Sequence, residues 1–177
     1  MKKLSVRKIT MIAVLISMAV ALSVVENFIP LGVPGAKLGL ANLITVIALY
    51  CFGFPTALLV SLLRVVTSSL ITGSIFGMGF TMSFAGALLS LFVMALLKRF
   101  APCFTVVGVS IAGAFIHSLA QIGVAIIYYG STSIIYYFPL LALISLLTGT
   151  LIGFLSEFTL NNSYLRRVIL SSEMDDR

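Results

Sequence analysis

Residues 80–99 read FTMSFAGALLSLFVMALLKR: eighteen residues without a charge, closed by Lys98 and Arg99. A helix that crosses a bilayer needs about 20 mostly apolar residues, and adjacent cations stop it at a headgroup surface. The same pattern recurs along a 177-residue chain that is 60% apolar and only 9% charged. A soluble domain carries about 25% charged residues. There are too few ions here to coat a globule, and the chain is far too apolar to stay disordered. Its solvent is lipid.

Outward from that stretch, six apolar runs predict six transmembrane helices, approximately 9–29, 40–52, 55–71, 80–97, 104–129 and 134–158. The expected fold is an all-α membrane bundle over residues 1–160 with a polar cytoplasmic tail over 161–177. Proline and glycine punctuate it: Pro30 to Gly39, Gly53-Phe54-Pro55, Gly73 to Gly79 and Tyr129 to Ser133. No small-residue cleavage site follows the first run, which reads as a retained helix rather than a signal peptide.

Orientation follows from the cations. Lys2, Lys3, Arg7 and Lys8 precede the first run, Lys98 and Arg99 follow the fourth, and Arg166 and Arg167 follow the sixth. Six crossings put all of them on one side, which is cytoplasmic by the positive-inside rule, with both termini inside. The net charge of +6 therefore reads as topology and headgroup contact, not as nucleic-acid binding. Lys37 is left as the one charge in the outer loops, and Tyr128, Tyr129, Tyr136 and Tyr137 fall at an aromatic belt.

Ionisable side chains at membrane depth cost about 2.5–3.5 kcal/mol each on insertion scales, so they face protein or a cavity. Glu26, Asn27, Lys37, Asn42 and Gln121 fall in the outer half; Arg64 and His117 fall near the middle. His117 and Gln121 are one turn apart and share a helix face. Each has a plain alternative: Glu26 as an interfacial carboxylate, Lys37 as a headgroup-facing lysine, Arg64 in an internal salt bridge to Glu26, His117 as an interhelical hydrogen-bond partner. Glu157, at the inner end of the last run, reads as a partner for the inner cations.

Ala13, Ser17 and Ala21 recur every four residues, as do Gly149 and Gly153; such stripes let helices approach closely. The first is either a packing stripe or a docking face for another membrane protein. Catalysis finds little support: no run contains an aspartate, and neither HExxH nor a P-loop occurs. Cys51 and Cys103 stand apart, with no metal-ligand spacing, as small apolar packing residues.

The stretch from Glu26-Asn-Phe-Ile-Pro30 through Pro34-Gly-Ala-Lys-Leu-Gly-Leu-Ala-Asn42 resembles the Gx transporter family, also labelled heptaprenyl diphosphate synthase component I. Arg64, Gly73, Ser83-Phe-Ala-Gly86 and Gly108 to Ala114, leading to His117 and Gln121, continue the resemblance over roughly 10–155. It departs at Ser118 and Ala120, where the family pattern has Asn and Gly. Such proteins look like the substrate-binding S components of energy-coupling factor (ECF) transporters in the bacterial cytoplasmic membrane. The resemblance implies capture of a small solute outside by Glu26, Asn27, Lys37, Asn42, Arg64, His117 and Gln121. It further implies docking through Ala13, Ser17 and Ala21 on a T component with two ATPases. The chain would hold no cofactor; ATP would be used by the partners. Lys37 and Arg64 would favour an anionic or carbonyl-bearing solute, and an isoprenoid- or quinone-related one fits the family label. The alternative is a non-catalytic membrane subunit serving heptaprenyl diphosphate or isoprenoid-quinone synthesis. Its only adjacent acids, Asp175 and Asp176, cannot form paired Asp-rich motifs.

Overall fold

A computed structural model describes residues 6–29, 37, 39–101 and 103–162. Lys2, Lys3, most of the loop from Pro30 and the tail from residue 163, with Arg166 and Arg167, lie outside the described residues. All regular structure among the described residues is helical: α1 (Val6–Glu26), α2 (Asn42–Phe52), α3 (Phe54–Ile71), α4 (Met78–Phe100), α5 (Val106–Tyr129), a 3-10 segment (Thr132–Tyr137) and α6 (Phe138–Leu160). Five helical stretches are long and apolar enough to cross a membrane. The protein is a multi-pass helical membrane bundle. Leu89, Phe92, Leu143, Leu147, Phe154 and Phe158 are exposed along the outer faces, an inversion that only lipid makes favourable.

Local chemistry sets the helix ends. The Thr105 hydroxyl accepts from Gly108 N at 3.2 Å to cap α5, and Gly130 closes that helix in the left-handed region at φ +62°. Lys98 and Arg99 occupy the last turn of α4, opposite the negative end of its dipole.

Two expected runs need correction. The sixth, expected as one helix, divides: Pro139 has no N–H to donate, so the segment before Phe138 stays 3-10 and the regular ladder begins at the proline. The second is the larger change. With 11 residues, α2 is about 16 Å long, roughly half the hydrocarbon core. Its N-terminus lies beside the buried polar residues, where Gly39 faces His117, and its C-terminal Leu49 carbonyl accepts from Lys98 Nζ at 2.9 Å. The helix thus covers the inner half of the bundle, and residues 39–41, just before it, lie at mid-depth as irregular backbone. Such backbone is tolerated in a membrane only where protein or a cavity covers it.

Glycines draw α4, α5 and α6 together. A Cβ on Gly149 would stand 2.8 Å from Ile111 Cα, one on Gly153 2.6 Å from Val107 Cα, and one on Gly113 2.5 Å from Met94 Sδ. The Gly149–Gly153 stripe is therefore a packing stripe between α5 and α6. The Ala13–Ser17–Ala21 stripe behaves differently: all three are exposed, while α1 buries Ala19, Ser23 and Glu26 on its other side.

Candidate functional site

Six of the seven polar residues singled out above converge. Glu26, Lys37, Asn42, Arg64, His117 and Gln121 are each at most 7% exposed. They come from the end of α1, position 37 ahead of α2, the start of α2, the middle of α3 and one face of α5. Asn27 stays outside: one residue past Glu26 the helix has turned about 100°, and its side chain is exposed.

Hydrogen bonds tie the group together. Arg64 Nη2 donates to Asn42 Oδ1 at 3.4 Å. The Lys37 backbone N–H donates to Gln121 Oε1 at 3.4 Å, and Gln121 Nε2 lies 3.1 Å from His117 Nε2. Because the Gln121 oxygen is the acceptor in the first of these contacts, its amide nitrogen donates in the second. His117 Nε2 then accepts, and the imidazole proton sits on Nδ1. Glu26 Oε1 accepts from Leu40 N, so the carboxylate fastens the backbone just before α2 rather than gripping Arg64. The guanidinium's hydrogen bond goes to Asn42, not into the salt bridge that sequence allowed.

Much polar capacity remains unused. Glu26 Oε2, Asn42 Nδ2, Arg64 Nε and His117 Nδ1 are buried with no hydrogen-bond partner among the described residues. Buried polar atoms are almost always paired, since an orphan costs about 1–3 kcal/mol. His117 Nδ1 faces the Gly86 backbone without completing a bond to it. Three of these four atoms are donors and one is an acceptor. Arg64 and Lys37 both act on a single carboxylate, Glu26. Burial pushes the Lys37 ammonium, outside the spanning helices, below the ordinary lysine value; Glu26 opposes that and Arg64 adds to it.

Two glycines shape the site without any spacing signal to mark them. A Cβ on Gly86 would meet His117 Cε1 and Nδ1 at 2.8 Å, so the ring lies flush against α4. Gly39 holds φ +80°, and its Cβ position is 3.5 Å from Asn42 Nδ2 and 3.7 Å from His117 Cδ2. Both belong to blocks that carried the family resemblance, yet nothing in their spacing assigned them a role. Glu157 is half-buried and makes no ion pair among the described residues. None of these residues forms a cluster able to hold a metal ion among the described residues.

A family model described as heptaprenyl diphosphate synthase component I matches residues 15–159. No curated protein and no solved structure match the chain.

Proposed function

The chain belongs to the heptaprenyl diphosphate synthase component I family, and from that premise we infer that it is the solute-binding S component of an ECF-type importer. The observation that carries this reading is the set of buried orphan donors, Arg64 Nε, Asn42 Nδ2 and His117 Nδ1, grouped beside one another where three helices and the backbone just before α2 meet. A buried, donor-rich, net cationic group is costly in an empty protein and favourable around a carboxylate, carbonyl or phosphate oxygen. The start of α2 points its positive dipole end at the same place, as broken helices do toward anionic solutes. In this reading Arg64 is the principal charge contact, Asn42 and His117 orient the acceptors, and Glu26 and Gln121 hold the backbone of Leu40 and Lys37 beside them.

Import needs energy that this chain does not supply, so a T component and two ATPases are the proposed partners, with ATP used by them. The exposed stripe of Ala13, Ser17 and Ala21 supports docking, because small side chains admit close approach of a partner helix. Beside it, Val20, Val24, Thr67 and Ile71 border a shallow groove of about 560 Å³ between α1 and α3. The bacterial cytoplasmic membrane is the proposed location.

The family's description favours a second reading, a non-catalytic membrane subunit that recruits a prenyl synthase. One experiment separates the two. Tagged protein is recovered from its native host in mild detergent, alongside a version carrying Ala13→Leu and Ser17→Leu, and co-purifying chains are identified by mass spectrometry. A T component and ATPases that disappear with the leucine pair support the importer. A soluble prenyl synthase recovered without any ATPase sinks it.

A further inference from the structure

Away from the polar group, at the other end of the bundle, lies a cleft of about 460 Å³ lined by Leu49, Phe54, Phe92, Ala95, Leu96, Lys98, Arg99 and Phe100. Phe92, Ala95, Leu96 and Arg99 follow the spacing i, i+3, i+4, i+7, so they form one stripe along α4. That stripe runs from hydrocarbon to charge, with Phe92 about 10 Å deeper than Arg99 along the helix. Leu49 near the end of α2 and Phe54 at the start of α3 close the opposite side. The cleft exists because α2 is short and gives way at Gly53, which holds φ +82°.

The cations are arranged unequally. Lys98 Nζ donates to the Leu49 carbonyl and lies 4.7 Å from the centre of the Tyr50 ring, so it is anchored across the α2 terminus with donors to spare. Arg99 is exposed, its guanidinium 5.6 Å from the Phe100 ring centre. Neither pairs with a carboxylate among the described residues, where Glu26 and Glu157 are the only acids. By the charge pattern this is the cytoplasmic end, and the cytoplasmic leaflet is where anionic lipids concentrate.

We propose that this cleft is a binding site for an anionic glycerophospholipid of the inner leaflet, with its phosphate on Arg99 and Lys98 and one acyl chain along Phe92, Leu96 and Phe54. Charge complementarity and the graded lining fit that occupant: a zwitterionic lipid brings a further cation to the two already there, and a free phosphate leaves the aromatic floor bare. The site is independent of the solute reading.

The chain contains no tryptophan, so Phe92→Trp installs a single reporter. The full-length protein in vesicles is titrated with acyl-brominated phosphatidylglycerol or phosphatidylcholine, and the quenching of indole fluorescence is read. One cation at headgroup level contributes about a fivefold factor. Phosphatidylglycerol is expected to bind at least about fivefold better than phosphatidylcholine, with the preference falling by about fivefold when R99Q is added and to about one when K98Q is added as well. Leu147→Trp, on the exposed face of α6, serves as control and should show no preference. Equal quenching by the two lipids in the Phe92→Trp protein, or a preference that R99Q leaves unchanged, overturns the site. Displacement of brominated phosphatidylglycerol by farnesyl diphosphate at much lower concentration than by unlabelled phosphatidylglycerol overturns the phospholipid and makes the occupant a prenyl diphosphate.

Discussion

Arg64 concentrates the chemistry of the outer half of the molecule. At 2% exposure and ten residues into α3, its side chain cannot reach water along the helix, and one neutral amide is its hydrogen-bond partner. Truncating one partner of a buried charged contact costs about 2–5 kcal/mol, or roughly thirtyfold and upward in affinity. Arg64→Ala is therefore expected to reduce solute affinity at least thirtyfold. Arg64→Lys should restore little, because an ammonium lacks the planar fork. The solute released on denaturing the purified protein, identified by mass spectrometry and titrated back calorimetrically, supplies the measurement; unchanged affinity removes Arg64 from the site. Gly86→Ala acts through its neighbour. The added methyl overlaps His117, and overpacking typically costs about 1–3 kcal/mol, so the melting temperature should fall and the His117 ring should turn. Retention of both stability and affinity would show that the ring has room.

At the scale of elements, composition and charge made the bundle legible: the long apolar runs with cations at one set of ends reappear as α1, α3, α4, α5 and α6. The convergence of Glu26, Asn42, Arg64, His117 and Gln121 was foreshadowed for the same reason, since lipid expels such groups inward. What hydropathy could not convey was the depth of the loop before α2, because Gly39 to Ala41 looks the same in water as beneath a lid of protein. Nor could it separate two small-residue stripes of equal spacing, which only their neighbours distinguish: Gly149 and Gly153 touch α5 backbone, whereas Ser17 is exposed. A pair of substitutions checks this assignment. Gly153→Ala meets Val107 backbone at 2.6 Å and should destabilise by about 1–3 kcal/mol. Gly123→Ala meets nothing within 4 Å and should be neutral or gain up to about 1 kcal/mol from helix propensity. Equal effects in thermal unfolding would refute the close packing of α5 on α6.

The whole molecule has two unlike sides. α4, α5 and α6 are held by glycine contacts that leave no slack, and they carry His117 and Gln121; α1, α2 and α3 contribute Glu26, Asn42 and Arg64. The polar group lies on the seam between them, so a solute bound as proposed would bridge both sides. It should raise the melting temperature as its concentration exceeds the dissociation constant, the added stability reaching about 2.7 kcal/mol at a hundredfold excess. The leucine pair on α1, on an exposed face, should leave that shift intact while abolishing partner recovery. Loss of the solute shift in the leucine pair would mean that the stripe supports the fold rather than a partner.

The brevity of α2 also bears on how the protein is made. Eleven residues offer the insertion machinery about half a crossing, and the segment opens with Asn42. Alone it has no reason to leave the aqueous side to which α1 delivers it. Only when α3 emerges can the two enter as a hairpin, Gly53 at its tip, with Lys98 later fastening that tip from α4. A reporter enzyme fused after Phe52 should accordingly remain outside the cell, whereas the complete chain carrying Gly53→Cys with Cys51→Ala and Cys103→Ser should be labelled from the cytoplasm. Synthesis of this protein would then include a moment when the nascent chain has the wrong number of crossings, corrected by what is translated next.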